Sequence, residues 1–362
     1  MKIPRSIFFS ITKLRNRNGS NIILTRYKRK VYYELRLIRK RGLRIPKYSN
    51  ESTEYIRKFS NYNDLSWHKY YSSLNKILSP LYFPTDLFYT TVEPLLNDMR
   101  YAVMIGDKAF LTELFNEQNC VPTLLKKVKG RFFTCDGKYI TEDLAKDMLL
   151  NLNSEYILKQ AVGTGGGKDI VFFNKSSIDE TFEITKSVDY FVIQKLFEQE
   201  ESIKEFHPSS LNTIRMTTLR VDDKIHLLSS FIRFGNCGNK VDNATQKGVY
   251  CGIDKNGSLK NIGYDYYYNF HKVHPFSKKV FEGFKIPSYD KCLDLVTKCH
   301  NKIPYMDMIS WDVAIGIDKN PKIVEINVRK QGIDAHQITN GPLFGEFSSY
   351  ISELIFKRKA KK

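Results

Sequence analysis

Residues 311–327 read W-D-V-A-I-G-I-D-K-N-P-K-I-V-E-I-N, a pattern that predicts two short strands joined by a tight turn. Turn-forming residues occupy 318–321, and apolar residues alternate with others on both sides. A loop over 318–321 would place Asp312 opposite Asn327 on the neighbouring strand. We therefore expect an antiparallel hairpin in which these two polar side chains are close together.

This hairpin would gather three oxygen-bearing side chains on one face. Glu325 would oppose Ala314, and side chains alternate between faces along a strand, so Asp312, Glu325 and Asn327 would emerge on the same side. Opposed residues have Cβ atoms about 5 Å apart. Two carboxylates and an amide at that spacing suit a hard divalent cation such as Mg²⁺. A solvated outer face of an antiparallel sheet is the alternative.

The composition indicates a folded protein of more than one domain. A length of 362 residues allows two or three domains, and 42% hydrophobic with 27% charged residues is typical of globular proteins. No apolar run reaches the ~18 residues of a membrane span, and the N-terminal residues do not resemble a secretory signal. Six cysteines without C-x-x-C pairs indicate reduced thiols and no zinc site. We expect a cytoplasmic protein, with peripheral attachment to the inner face of the membrane as the alternative.

The net charge of +18 is concentrated at the two ends of the chain. Residues 1–47 contain fifteen Lys and Arg residues and one acid, and residues 357–362 contain five basic residues. These ends carry +14 and +5, which leaves a central body near −1. A nucleic-acid partner is therefore not expected for the body.

Residues 22–41 predict a basic amphipathic helix, because apolar side chains recur at helical spacing between basic ones. Such a helix either lies on an anionic membrane surface or grips an acidic partner, or it packs on the body with a solvated basic side. We favour packing. A linker is expected from Gly42 to Ser52. The apolar positions of the helix are Leu24, Tyr27, Val31, Leu35 and Ile38.

A glycine-rich segment lies between two predicted strands, 155–162 and 169–173. Its glycines, from Gly163 to Gly167, would let backbone N–H groups approach a phosphate closely. The segment is not a Walker loop, since Asp169 follows Lys168 and a strand follows where a helix should. A simple flexible turn is the alternative.

The next predicted strand, 189–194, runs into a short linker and then a group of acids. A strand that passes into a linker offers an apolar slot with backbone donors and acceptors, which suits a nucleobase. Glu201 could then accept hydrogen bonds from ribose hydroxyls. The alternative is a core strand that ends in a surface acidic cluster.

Two arginines lie inside predicted strands of residues 212–235, where arginine is costly unless it is paired. A two-residue turn at Asp222 and Asp223 would put Arg215 and Arg233 on opposite faces. A three-residue loop would pair Thr213 with Arg233 and put both arginines on one face. A common site would therefore require a loop of odd length.

Eight short motifs follow one another along the chain: I-G-D-K (105–108), Q-K-L-F (194–197), N-T-I-R-M-T-T-L (212–219), F-I-R-F-G (231–235), V-D-N (241–243), S-W-D-V-A-I (310–315), V-E-I-N (324–327) and H-Q-I-T-N-G-P-L-F-G (336–345). Taken in order, these segments resemble the ATP-grasp superfamily and, more closely, its sugar-transfer-associated group. The resemblance covers residues 100–345 and implies an α/β N-terminal domain followed by two α+β lobes with antiparallel sheets that clasp ATP. The domains expected on this basis are a basic segment 1–47, a pre-grasp region 48–107, lobes 108–200 and 201–356, and a basic tail 357–362.

The resemblance also implies roles for individual residues. ATP phosphates would be held by Lys108 and Lys159, under a loop of Thr164, Gly165, Gly166 and Gly167. The adenine slot would be lined by Gln194, Lys195 and Leu196, with Glu201 on the ribose. Two Mg²⁺ ions, for which Mn²⁺ can substitute, would be held by Asp312, Glu325 and Asn327. Arg215 and Arg233 would steady the transferred phosphate, and Asn243 and His336 would face the acceptor.

Three functions are compatible with these features. The first is an ATP- and Mg²⁺-dependent carboxylate–amine ligase that works through an acyl phosphate, with a sugar acid or glycan precursor as substrate in cell-surface polysaccharide biosynthesis. The second is an ATP-grasp phosphotransferase acting on a sugar or glycan hydroxyl. The third is a non-enzymatic adaptor that binds acidic partners through the basic termini. The prominence of lysines, arginines and acids favours phosphoryl transfer, which requires charge neutralisation more than a protein nucleophile.

Overall fold

Two antiparallel sheets organise the chain, and each is built from stretches rich in β-branched and aromatic residues. The computed structural model describes residues 19–48, 50–57, 64–152, 154–162, 170–236 and 248–360. The strands within those residues are β1 (Thr123–Val128), β2 (Arg131–Thr134), β3 (Tyr139–Ile140), β4 (Tyr156–Gln160), β5 (Ile170–Phe173), β6 (Phe191–Lys195), β7 (Thr213–Val221), β8 (Lys224–Phe234), β9 (Val249–Ile253), β10 (Leu259–Asp265), β11 (Phe270–His271), β12 (Met308–Ile315) and β13 (Pro321–Asn327).

Helices precede, separate and follow these strands. A π-helical turn at Phe88–Val92 and 3₁₀ turns at Lys108–Phe110, Lys175–Ser177 and Gly345–Phe347 complete the regular structure of the described residues. The α-helices are α1 (Gly19–Lys40), α2 (Asn50–Arg57), α3 (Ser66–Asn75), α4 (Thr85–Leu87), α5 (Glu93–Leu96), α6 (Ala102–Ile105), α7 (Leu111–Phe115), α8 (Glu142–Leu152), α9 (Ile178–Thr185), α10 (Glu201–Lys204), α11 (Tyr289–Asn301), α12 (Ile333–Asn340) and α13 (Ser348–Ala360).

The N-terminal sheet has the strand order β3-β2-β1-β6-β4-β5, and the C-terminal sheet has the order β11-β10-β9-β8-β7-β12-β13. One face of the C-terminal sheet packs on α11 through a large apolar cluster that includes Trp311, Met216 and Val296. The other face carries polar and charged side chains beneath α12. The mixed α/β architecture with antiparallel sheets is the one expected from the sequence.

The β12–β13 hairpin forms, but its register differs from the prediction. Ile315 pairs with Pro321, so the turn is longer than expected, and Asp312 pairs with Glu325 and not with Asn327. Val324 is an extra residue between the Val313–Ile323 and Asp312–Glu325 pairs, which is a β-bulge. Without the bulge, Asp312 would oppose Val324 and Glu325 would point to the other face. The bulge therefore produces the shared face that the sequence predicted from a different register.

A second bulge corrects the expectation for the arginines. The β7–β8 turn is the two-residue form, with Val221 paired to Lys224 and with positive φ at both Asp222 and Asp223. The predicted need for an odd-length loop is wrong, because Leu228 is an extra residue in β8 and shifts the register by one. Thr213 consequently pairs with Arg233, and both arginines lie on one face.

A five-residue linker, residues 196–200, runs from β6 to α10 and contacts both sheets. It begins after β6, where the Leu196 amide donates to the carbonyl of Glu155, and it ends where the Glu200 amide donates to the carbonyl of Ile315 in β12. Gln199 and Gly316 form an antiparallel bridge next to the second hydrogen bond, and the Ile317 amide donates to the carbonyl of Glu198 on the other side of this bridge. The linker is thus hydrogen-bonded to both sheets.

Helix α1 packs on the body, as favoured from the sequence. Its apolar side chains Val31, Leu35 and Ile38 are buried in a cluster with aromatic residues of α3 such as Trp67. Lys30 Nζ also donates to Asp334 Oδ2 of α12 at 2.8 Å. The linker predicted to extend to Ser52 is shorter, because α2 begins at Asn50 and buries Ser52. None of the described helices has the length and apolar character required to cross a bilayer.

Candidate functional site

Charged side chains of three neighbouring strands form one row across the C-terminal sheet. Arg215 of β7 pairs with Asp312 of β12, and Asp312 pairs with Glu325 of β13. Directly paired residues of antiparallel strands point to the same side of a sheet. Asn327 lies two positions after Glu325 and therefore on the same side. We call this side, with Arg215, Asp312, Glu325 and Asn327, the inner face.

Asp312 is held by two guanidinium groups. Arg215 donates from Nε to Oδ1 and from Nη2 to Oδ2, the latter at 3.0 Å, and Arg233 Nη2 lies 3.0 Å from Oδ2. The Asp312 side chain is 4% exposed. Burial by itself would raise its pKa, but Arg215 and then Arg233 outweigh that effect and hold the pKa of Asp312 below its usual range. Asp312 is therefore an ionised carboxylate that the two arginines enclose.

Lys108 reaches the inner face from the 3₁₀ turn Lys108–Phe110. Its Nζ lies 3.2 Å from Oε1 of Glu325. The lysine is placed by its local backbone, because Asp107 caps the 3₁₀ turn by accepting from the Ala109 amide at 2.8 Å. The Lys108 amide itself donates to the carbonyl of Ala161, just after β4. These bonds connect the lysine to both sheets.

The N-terminal sheet turns one face toward the same 3₁₀ turn. Lys159 pairs with Val192, and Val192 packs with Ala109. Gln194 lies two residues after Val192, so Lys159 and Gln194 share the face that contacts the turn. Gln194 is buried and donates to Thr123, while its Oε1 has no hydrogen-bond partner among the described residues. This unpaired acceptor fits a ligand that donates a hydrogen bond, as an adenine amino group does.

The fit of a divalent cation to the inner face rests on Glu325 and Asn327. The Glu325 side chain is 28% exposed, so an ion from solvent can reach its carboxylate. The buried Nδ2 of Asn327 is a donor without a partner among the described residues, so it suits a phosphate oxygen, and only the Oδ1 of this amide would bind the metal. A carboxylate next to an amide suits Mg²⁺. Asp312 is less available, since both of its oxygens already accept from arginines. Within the described part of the chain, no three His, Cys or acidic residues form a metal-binding group by themselves.

The residues predicted for the adenine slot and ribose lie in and beside the linker. Lys195 and Leu196 are exposed, and the Leu196 amide already donates to the carbonyl of Glu155. Glu201 is exposed in the first turn of α10, 3.4 Å from Lys204 Nζ. Glu200 is the N-cap of that helix and is buried. Glu201 is therefore the carboxylate of this pair that solvent reaches.

His336 is placed differently from the expectation that it faces the acceptor. The side chain is 1% exposed, with Nε2 at 2.8 Å from Thr217 Oγ1 and Nδ1 at 2.9 Å from Ser229 Oγ. Burial, followed by the charge of Arg215, lowers the pKa of His336 to about 3. The imidazole is a neutral link between the sheet and α12, and it offers no free nitrogen to a substrate.

Five predicted site residues lie outside the described residues, so the structure does not test their roles. They are Thr164, Gly165, Gly166, Gly167 and Asn243.

Two positions near the arginines were not singled out as site residues from the sequence. Thr213 Oγ1 accepts from Arg233 Nη2 at 2.6 Å, and the backbone carbonyl of Gln331 accepts from Arg215 Nη1 at 3.3 Å. Both hold the guanidinium groups in place. The predicted pairing of Thr213 with Arg233 could have identified the threonine as a site residue. The role of the Gln331 carbonyl could not be predicted, because every residue has a backbone carbonyl.

Comparison with known proteins shows which group this arrangement belongs to. No curated protein sequence showed significant similarity to the chain. Solved structures similar to it include the biotin carboxylase domain of Hydrogenobacter thermophilus 2-oxoglutarate carboxylase with MgADP, at 14% identity and a TM-score of 0.42, covering 69% of this chain and 45% of that one. The ATP-grasp ligase PsnB has 11% identity and a TM-score of 0.43, with coverage of 72% and 64%. The chain thus spans less than two-thirds of either protein.

A third similar structure is the D-cycloserine synthetase DcsG, at 13% identity and a TM-score of 0.38, covering 72% of this chain and 71% of that one. At the level of sequence families, residues 88–348 match the family described as sugar-transfer associated ATP-grasp. This match includes the linker, the N-terminal sheet and every residue of the inner face. The protein that carries this charged row on its C-terminal sheet therefore belongs to the sugar-transfer-associated ATP-grasp family.

Proposed function

We propose that the protein is an ATP- and Mg²⁺-dependent carboxylate–amine ligase that works through an acyl phosphate. The observation that carries the proposal is the convergence of Lys108, Arg215 and Arg233 with Asp312 and Glu325 on the inner face. We further propose, from the name of the family, that a sugar acid or glycan precursor is joined to an amino acid or amine in cell-surface polysaccharide biosynthesis.

The three cations suit the binding of an anionic substrate. Phosphoryl transfer concentrates negative charge on the transferred group, and its stabilisation depends on fixed positive groups. Arg215 and Arg233 are fixed by Gln331, Thr213 and Asp312, so they need little reorganisation when an anion arrives. Planar guanidinium groups also match a carboxylate in shape.

Glu325 and Asn327 would hold Mg²⁺, and Gln194 would contact the adenine. Bound Mg·ATP would supply the phosphoryl group and neutralise part of its charge. Lys108 forms an ion pair with Glu325, and the arginines form ion pairs with Asp312, so the opposite charges of the site neutralise one another. Binding would require Lys108 to leave Glu325 and turn to a phosphate. Asp312 could join the metal only if an arginine turned toward the substrate.

The described residues of the inner face favour a carboxylate over a hydroxyl as nucleophile. A hydroxyl needs a base to take its proton. His336 is buried with both nitrogens engaged, and the pKa of Asp312 is lowered by the arginines, so neither is suited to that task. A carboxylate substrate is already ionised and requires no base. For this reason we favour the ligase over the phosphotransferase.

The experiment that tests the function measures ADP and inorganic phosphate separately while ATP is offered with sugar acids and amino acids in combination. A ligase releases both in equal amounts, and only when both substrates are present. Mass analysis of the product would show loss of one water from the joined pair. ADP release without phosphate would favour the phosphotransferase, and no ATP consumption under any combination would contradict both enzyme functions.

A further inference from the structure

The solvent side of α1 is a basic surface. Arg29, Arg36, Arg39 and Lys40 are exposed along it, whereas Glu34, the acidic residue of the helix, is buried. Because the apolar side of α1 packs on the body, this basic surface is the side of the helix that is accessible to a binding partner. It differs from the apolar side that a membrane-inserted amphipathic helix would use.

Large side chains are interleaved with these cations. Tyr32 is 52% exposed, Tyr33 is 45% exposed, and Ile22 and Ile23 are each 39% exposed. Tyrosines are favoured where a protein meets the polar region of a bilayer, since the ring is apolar and the hydroxyl is polar. The surface therefore combines positive charge with amphipathic side chains.

At the C-terminal end of α1 this surface opens into a groove of about 550 Å³. The groove lies between α1, the following segment and α3, and Arg39 belongs both to the groove and to the surface of α1. Three cations line it, from three separate parts of the chain, together with apolar side chains. The cations are Arg39, Lys47 and Lys69, and the apolar side chains include Leu43, Ile45 and Leu65.

No carboxylate lines this groove within the described residues. Arg39, Lys47 and Lys69 likewise form no ion pair there with a carboxylate of the described residues. Asp64 is adjacent to Leu65 in sequence, but its oxygens accept from the Tyr32 hydroxyl and the Ser66 amide, each at 2.9 Å. The groove is consequently positive, with an apolar wall, and suits a ligand that is anionic at one end and apolar at the other.

We propose that this groove binds the phosphate headgroup of an anionic phospholipid and that the solvent side of α1 lies along the membrane surface. The three cations would contact the phosphate, and the apolar wall would face the glycerol and the first acyl carbons. Attraction of basic residues to anionic lipids is worth roughly a fivefold change in binding per residue near the surface. A free phosphoester has the same charged group but lacks the apolar part and the extended anionic surface.

This proposal does not depend on nucleotide chemistry, so its failure would leave the proposed ligase function unaffected. It places the full chain at a membrane surface without insertion of a helix. The attachment is electrostatic and should weaken as salt is added.

The test is flotation of the full chain with phosphatidylcholine vesicles that contain about 30 mol% phosphatidylglycerol, compared with pure phosphatidylcholine. The test variant combines Arg39→Gln, Lys47→Gln and Lys69→Gln. The matched control combines Lys255→Gln, Lys298→Gln and Lys302→Gln, three exposed lysines at and near α11 that give the same change in net charge. Thermal unfolding of both variants checks that they remain folded.

We expect the wild-type chain to bind only the anionic vesicles, with binding at least about tenfold weaker for the groove variant and changed less than about twofold for the control. Equal losses in the two variants would show a non-specific charge effect and overturn the proposal. So would an absence of wild-type binding to anionic vesicles. Stabilisation by glycerol 3-phosphate, lost in the groove variant, without vesicle binding would assign the groove to a soluble phosphoester and also overturn it.

Discussion

Lys108 and Glu325 are 217 positions apart in sequence, and their side chains form an ion pair of 3.2 Å between Nζ and Oε1. The pair joins the 3₁₀ turn Lys108–Phe110 to β13 of the C-terminal sheet. Lys108 is 11% exposed and Glu325 28%, so the pair is partly shielded from water. A metal-bound triphosphate would compete for both partners, and the pair therefore lies where the proposed chemistry must occur.

The first prediction concerns Glu325→Gln. The variant keeps the size of the side chain but removes the charge that Lys108 and a metal ion would use. We expect turnover to fall by at least about a hundredfold, the size of effect seen when a group that stabilises transition-state charge is removed. ATP-dependent phosphate release measures it. Glu282→Gln, at an exposed glutamate, should retain wild-type turnover, and normal turnover in Glu325→Gln would contradict the role of Glu325.

The second prediction concerns the pair of Arg215 and Asp312. Removing one partner of a buried ion pair costs about 3–5 kcal/mol because the other charge is left uncompensated. We expect Arg215→Met and Asp312→Asn each to destabilise the fold, with the double variant losing less than the sum of the two. Urea unfolding of the four proteins gives the coupling free energy. Strict additivity would show that the contact is not energetically coupled.

The same pair gives an acid-stability prediction. The pKa of Asp312 is lowered in the fold, so its contribution to stability is present above the ordinary aspartate value of about 3.9 and is lost as the pH falls through the folded pKa. The free energy of unfolding of the wild type should therefore drop more steeply below about pH 4 than that of Asp312→Asn. Parallel curves for the two proteins would contradict this assignment.

The β7–β8 and β12–β13 hairpins can be predicted from the sequence, but the pairing register of β7 with β8 and of β12 with β13 cannot. Alternation in β12 and β13 predicts the hairpin, and the turn residues Asp222 and Asp223 predict the β7–β8 turn. The bulge at Val324 puts Asp312 and Glu325 on one face, and the bulge at Leu228 puts Arg215 and Arg233 on one face. Nothing in the local pattern distinguishes Leu228 or Val324 from its neighbours. Bulges are fixed by pairing with a partner strand, which is information that a local sequence does not contain.

Strand β1 shows a different limit of prediction. Its two lysines, Lys126 and Lys127, are both buried, although lysine is among the residues least often found inside a protein. Lys126 pairs with Glu113, and Lys127 donates to the carbonyl of Thr185 at 3.1 Å. Glu113 lies in the preceding helix α7 and Thr185 lies 58 positions after Lys127, so the local sequence of β1 contains neither partner and does not indicate a buried strand.

A further prediction concerns Glu93, which is buried and accepts from the Gln331 amide at 3.0 Å. Burial raises the pKa of Glu93 to about 7. Glu93 therefore binds its proton more tightly in the folded state than in the unfolded state, where its pKa is about 4.3. Its contribution to the free energy of unfolding is fully present below that unfolded pKa and is lost as the pH rises through the folded pKa. Glu93→Gln should gain stability relative to the wild type between pH 5 and pH 8, with an upper limit of roughly 3 kcal/mol.

Thermal unfolding of the wild type and Glu93→Gln across that pH range measures this effect. Glu282→Gln is the control, because an exposed glutamate should show no such trend. A difference in unfolding temperature between Glu93→Gln and the wild type that does not change with pH would contradict the raised pKa.

The last stability prediction tests whether α1 is part of the core. Ile38 is fully buried in the aromatic cluster under α1, whereas Ile22 on the same helix is 39% exposed. Ile38→Ala should lower the free energy of unfolding by about 2–5 kcal/mol and Ile22→Ala by less than about 1 kcal/mol. Equal effects in urea unfolding would contradict the packing. Deletion of residues 1–47 should for the same reason expose the cluster and unfold the chain.

The most direct test of the proposed site is a crystal structure of the full chain grown with Mn²⁺ and a non-hydrolysable ATP analogue, examined by anomalous scattering. We predict a manganese peak within about 2.5 Å of an oxygen of Glu325, close to Asn327, with Lys108 turned from Glu325 to a phosphate. A bound nucleotide with the Lys108–Glu325 ion pair intact, or with the metal away from the inner face, would contradict the proposed site.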